Sequence, residues 1–126
     1  MIELDFSKLG GLVPAVIQDF ASGEVLMVGF MDQEAWDKTL DRGEVHYFSR
    51  TRKGLWHKGA TSGHVQKVRE VWVDCDQDTV LIKVDQVGGA ACHTGMASCF
   101  FRRLDKAGEL ETVGQPVFDP RKVYGA

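Results

Sequence analysis

The chain is poor in several things at once. Among 126 residues there are three cysteines and three prolines, and 15 lysines and arginines stand against 18 aspartates and glutamates, a formal net charge of −3. An odd handful of thiols without a secretory leader does not make a disulfide framework. A chain with no basic tail or basic excess lacks the electrostatic footprint of a nucleic-acid binder. No apolar run approaches the roughly 20 residues that a bilayer-spanning helix needs. The start, MIELDFSKLGG, has neither the basic segment nor the apolar stretch of a signal peptide. The expected compartment is therefore the cytoplasm, with no membrane and no nucleic acid as partner. There is also no internal repeat, linker or low-complexity segment. What is present is ordinary for a folded domain: 44% hydrophobic and 26% charged residues, so residues 1–126 are read as a single domain.

Two runs, VPAVIQD (residues 13–19) and VLMVGFM (25–31), read as strands joined by the turn ASGE. Asp32 stands where it can cap a helix running through QEAWDKTLDR and ending at Gly43. EVHYFS (44–49) and LWHKG (55–59) are short strands across the turn TRKG. VQKVREVWVDCD (65–76) and TVLIKVDQ (79–86) form a hairpin around residues 76–78. ATSGH and VGGAACHTGMAS are loops. CFFRRL begins a strand, and the rest is a weakly specified tail in which Pro116 and Pro120 oppose a long element. Without a repeated βαβ rhythm a Rossmann-type sheet is disfavoured. The fold class is α+β, a mainly antiparallel sheet with one clear helix.

The stretch DCDQD (74–78) places a soft sulfur among hard oxygens. If the strand continues through it, Asp74 and Asp76 point to one face and Cys75 to the other, with Asp78 joining the aspartates. Three carboxylates on one face repel unless a cation neutralises them, and such donors suit Mg²⁺. Aspartates are also common turn residues. An EF-hand loop is a poorer fit, because Thr79 stands at the glycine position, Asp85 at the twelfth, and no helices flank the run. Thiolate suits zinc instead. Cys92 and Cys99 lie in CHTGMASC, and Cys75 lies seventeen positions before Cys92. Three thiols leave one position of a tetrahedral zinc open, the pattern of a catalytic centre. His93 either closes that position or transfers protons beside it. Adjacency to Cys92 favours proton transfer, and spacing alone leaves both open. Without a metal the cysteines would be small buried hydrophobes. The H-x-E…P-C-x-x-C pattern of the common zinc deaminases is absent.

Four blocks in order, YFSRTR (47–52), LWHKGATSGHVQ (55–66), DCDQD and ACHTGMASCF (91–100), resemble phosphoribosyl-AMP cyclohydrolase, and the likeness extends over residues 13–103. That resemblance implies a step of histidine biosynthesis in which water adds across N1–C6 of the adenine ring of N1-(5-phosphoribosyl)-AMP. It implies a homodimer whose zinc is shared between chains, with Cys75 from one chain and Cys92 and Cys99 from the other. It also implies magnesium on Asp74, Asp76 and Asp78. With no pyrophosphohydrolase domain in the sequence, the stand-alone form of the enzyme is expected. His93 is the candidate proton shuttle, with His57 and His64 as second choices. Arg50 and Arg52 flank Thr51, and guanidinium forks match phosphate oxygens. Lys58, Ser62, Gly63 and Gln66 complete the expected substrate-binding set, and the backbone amides of residues 62–64 can cradle phosphate. Trp56 either stacks on a base or belongs to the core, while Trp36 and Trp72 are assigned to core or interface. Two rival readings are a non-catalytic, zinc-stapled dimeric binding module and a redox-responsive thiol protein.

Overall fold

The computed structural model of the chain describes residues 2–119 and 121. Pro120, one of the two prolines expected to oppose a long terminal element, lies outside the described residues. The elements are β1 (Val13–Asp19), β2 (Val25–Met31), α1 (Gln33–Arg42), β3 (His46–Ser49), β4 (Gly54–His57), β5 (Gln66–Val73), β6 (Val80–Gln86), a 3₁₀ turn at Val87–Gly89, β7 (Arg102–Leu104) and β8 (Leu110–Thr112). The main sheet has the order β2-β1-β6-β5, and β3–β4 and β7–β8 are separate two-stranded ribbons. No helix among the described residues is long and apolar enough to cross a membrane. The α+β class and the one long helix among the described residues agree with the sequence.

Period-two alternation builds the core. Val13, Ala15 and Ile17 of β1 and Val80, Ile82 and Val84 of β6 are fully buried, and the register pairs Ala15 with Val80 and Ile17 with Ile82. This central pairing is parallel, unlike the two hairpin pairings on either side of it. The sequence reading held both hairpins but not the joint between them. Trp36 from α1 and Tyr47 from β3 pack in the same buried cluster, each worth a few kcal/mol of apolar burial. The helix starts where Asp32 Oδ1 accepts from Ala35 N (2.9 Å) and stops where Gly43 takes φ 70°. Thr39 ties it to β3: its hydroxyl donates to Ala35 O (2.8 Å) and accepts from His46 N (2.9 Å).

Gly29 of β2 faces the ring of Tyr47 so closely that a Cβ there would lie inside the ring's van der Waals envelope. Gly29→Ala is expected to cost about 1–3 kcal/mol through overpacking. The check is a lower urea midpoint with an unchanged slope.

The opposite face of the sheet carries an apolar row across all four strands. Val28 pairs with Val16, Val16 with Leu81, and Leu81 with Trp72. Trp72 is 55% exposed and Val28 46%. Trp72 is therefore not a core residue, whereas Trp36 is. A groove of about 350 Å³ between Val16, Trp72 and Leu81 ends at Asp74.

The tail also holds a hairpin where a weakly specified segment was expected. Asp105 Oδ1 accepts from Ala107 N and Glu109 N (both 2.9 Å), and Gly108 sits at φ 83°. Asp at the first and Gly at the fourth position of a turn is a legible signal. It was outweighed by strands only three residues long, exposed at every position.

Candidate active site

β5 ends at Val73, and DCDQD is a turn rather than a continuing strand. Asp74 N donates to Thr79 O (3.1 Å) and Gln77 N to Asp74 O (3.2 Å), while Gln77 adopts φ 61°. Asp74 Oδ1 accepts from Asp78 N (3.0 Å) and Thr79 N (3.2 Å). Strand alternation therefore does not separate sulfur from carboxylates, and that part of the sequence argument is corrected. The carboxylates converge all the same: one oxygen each from Asp74, Asp76 and Asp78 lies within 4.8 Å of the other two. Crowding shows in their acidities. Lys8 beside Asp76, helped by Asp78 and Asp74, holds the Asp76 carboxyl down to about 2. Desolvation, then Asp78 and Asp76, push Asp74 up from the usual range. Three hard oxygens around one point fit a magnesium ion completed by water.

Cys75 is exposed on this turn, whereas Cys92 is buried in the loop after the 3₁₀ turn. That loop is tightly held. Cys92 N donates to Met96 O (3.2 Å), Cys99 N to Leu26 O (2.7 Å) and Ser98 Oγ to Val25 O (2.7 Å). Gly95 is buried at φ 90°, with the carbonyl of Phe118 where a Cβ would stand. The sulfurs of Cys92 and Cys99 adjoin: desolvation first and the Cys92 sulfur second push the Cys99 thiol up to about 11. Thr94 Oγ1 donates to Cys92 Sγ (3.0 Å). Among the described residues the acidic turn is the one three-member group of metal-ligating side chains. The chain thus brings two thiols together and keeps the third elsewhere. A zinc ion suits that donor set only if Cys75 comes from a second copy.

The expected substrate residues divide. Arg50 and Arg52 lie exposed in the β3–β4 turn, with Arg50 stacked 4.1 Å from the Phe30 ring centroid. Lys58 is not on the surface. It is buried, and its ammonium donates to Ala91 O (2.6 Å) with both Cys92 and Cys99 nearby. Burial lowers its pKa and the two sulfurs oppose that shift. Gln66 is fully buried, accepting from Tyr47 Oη (2.5 Å) and donating to Gln86 Oε1 (2.9 Å), while Gln86 Nε2 donates to His64 O (3.0 Å). This chain of amides runs from the core to the glycine-containing loop, and the phenol of Tyr47 is pushed well above its usual value by burial and then by Cys99. Gly63 N donates to Gly59 O (2.7 Å) and His64 N to Ser62 Oγ (3.2 Å), so two of the amides expected to cradle phosphate are already engaged.

The histidines separate as well. His93 is exposed beside Cys92. His64 packs on Phe118 at 4.9 Å, and its buried Nδ1 has no hydrogen-bond partner among the described residues. His57 Nε2 bonds Glu44 Oε1 at 2.8 Å, and its ring lies 4.4 Å from that of His46, nearly parallel. His46 Nδ1 donates to Glu44 O (2.8 Å). Burial lowers the His46 pKa below the usual 6.5, only partly offset by that bond. Below pH 6.5 the unfolded chain then takes up a proton that the folded chain refuses, so stability falls with pH until the folded-state pKa is passed. Urea midpoints between pH 7.5 and 5 should fall more steeply for the wild type than for His46→Gln.

Lys8, Tyr47 and Gln86 were not singled out by sequence reasoning. A lone lysine 68 residues from its partner carries no local signal. Tyr47 stands inside a motif block, where nothing in the local sequence marks its bond to Gln66.

The family model of phosphoribosyl-AMP cyclohydrolase matches residues 27–101. The chain is 59% identical over 124 residues to the phosphoribosyl-AMP cyclohydrolase of Desulforapulum autotrophicum, covering 98% of this chain and 99% of that one. It is 60% identical to the protein of the same name from Desulfatibacillum aliphaticivorans, over 98% of both chains. It is 62% identical to that from Oleidesulfovibrio alaskensis, over 95% and 92% of the two chains.

Proposed function

This chain belongs to the phosphoribosyl-AMP cyclohydrolase family, and from that premise we propose that it is a zinc-dependent hydrolase of histidine biosynthesis that opens the purine ring of N1-(5-phosphoribosyl)-AMP. Water adds to C6, the C6–N1 bond breaks, C6 becomes the carbonyl of a carboxamide, and N1 keeps its electron pair and takes a proton. One observation carries the reading: Cys92 and Cys99 adjoin in a rigid loop, while Cys75 stands exposed on a separate turn. That split suits a centre completed between two copies. When bound by the three cysteines, zinc supplies the Lewis acidity that makes water nucleophilic near neutral pH.

The chain's own groups have separable roles. His93, exposed next to Cys92, moves the proton between the attacking water and N1. Lys58, buried behind the thiols, offsets their negative charge and fixes the loop through Ala91 O. Arg50 and Arg52 take the substrate phosphates. The acidic turn would hold Mg²⁺, whose charge would offset that of a substrate phosphate. Two exposed apolar surfaces support the homodimer. The Val28–Val16–Leu81–Trp72 row ends beside the turn that carries Cys75, and Phe100, Leu104 and Leu110 follow Cys99. Surfaces of that kind mark association sites.

The deciding experiment follows the ultraviolet change of phosphoribosyl-AMP with zinc-loaded protein, with and without a zinc chelator, across a dilution series. Turnover that is lost on chelation and on dilution to monomer is expected. Zinc-replete protein without turnover would leave the stapled binding module as the better reading.

A further inference from the structure

Residues 3–8 belong to no strand or helix, yet they are fastened to the acidic turn. Asp5 N donates to Gln77 O (2.7 Å), and Gln77 Nε2 donates to Glu3 O (2.9 Å). Leu4, between these two contacts, is buried in the core cluster. At the end of this strap Lys8 Nζ bridges Asp76 Oδ2 (2.8 Å) and Asp78 Oδ2 (3.0 Å). Asp5 does not compete for that ammonium through hydrogen bonds, because its Oδ1 accepts from Ser7 N (2.9 Å) and Ser7 Oγ (2.5 Å).

We propose that Lys8 is an internal counter-ion that competes with a divalent cation for Asp76 and Asp78, and so sets the cation concentration at which the acidic turn loads. The proposal rests on reading that turn as a magnesium site. The ammonium and a metal ion call on the same two carboxylates. Two cations a few ångströms apart also repel, so loading requires Lys8 to leave. Leaving is feasible without unfolding. The Lys8 side chain is 47% exposed, and the strap keeps its anchors at Leu4, Asp5 and Gln77 when the ammonium swings away. The coupling is reciprocal: if Lys8 weakens the metal, the metal frees Lys8.

Two measurements test this on the full chain. Mn²⁺ titration, followed by the paramagnetic resonance of the free ion at constant ionic strength, compares wild type, Lys8→Met and the remote control Lys106→Met. Lys8→Met is expected to bind about three- to tenfold tighter, the range of two half-exposed ion pairs, and Lys106→Met as the wild type. Trypsin cleavage after Lys8 of the wild-type chain is expected to accelerate with Mg²⁺ relative to Na⁺ of equal ionic strength, because a paired ammonium is withheld from the protease. This second arm needs no variant to fold. Equal or weaker Mn²⁺ binding by Lys8→Met, abolished by Asp76→Asn in both backgrounds, overturns the role of Lys8 and leaves the magnesium reading standing. Indifference of trypsin to Mg²⁺ at saturating concentration overturns it too. No Mn²⁺ binding to any form at millimolar concentration removes both.

Discussion

Cys99→Ser is expected to lose its zinc and essentially all of its turnover. A serine hydroxyl is a hard, neutral donor at pH 7, whereas zinc in this donor set relies on thiolate. The Cys99 thiol also resists ionising in the metal-free chain, held up to about 11 by desolvation and by Cys92. Binding a metal there must supply the free energy of that ionisation, so metal affinity should rise with pH. The fold should survive, because the anchors of the loop are the backbone bond from Cys99 N to Leu26 O and the Ser98 hydroxyl, neither of which needs the sulfur. Zinc content by elemental analysis, turnover and melting temperature together make the check. An active, zinc-replete variant would remove Cys99 from the ligand set.

His93→Ala is expected to keep its zinc and to lose about 10²–10⁴-fold in rate, the usual contribution of a positioned acid–base group. The imidazole is exposed and makes no hydrogen bond among the described residues, so its removal leaves no buried group unpaired. Loss of rate without loss of metal or stability therefore reads on chemistry alone. Near-normal turnover would pass the proton role to His57 or His64, and their environments differ. His57 is oriented by Glu44, while His64 keeps one ring nitrogen buried without a partner among the described residues.

Much of the site was legible from residue chemistry and local order. The four motif blocks, the thiols and the aspartates all stand out in the sequence. The geometry that joins them is different from strand alternation: the aspartates converge because residues 74–78 curl, with Gln77 in the left-handed region. Lys58 and Gln66, both expected in the substrate-binding set, are buried. A lysine beside a tryptophan and a glutamine at the start of a strand read the same in sequence whether covered or bare. What covers them is Ala91 and Cys92 in one case, and Tyr47 and Gln86 in the other.

The sequence by itself determined what short-range rules can express. Asp32 and Gly43 bound the helix, because a cap and a left-handed stop act within one turn. Apolar runs rich in β-branched residues made β1, β2, β5 and β6, and donor chemistry separated a thiol set from a carboxylate set. The tertiary structure alone decided that β1 lies parallel to β6, that Lys8 reaches across 68 residues to Asp76, and that Cys75 stays apart from Cys92 and Cys99. Each of these depends on chain segments meeting over long sequence separations. Such meetings are settled by which apolar faces bury one another, and no local period records that.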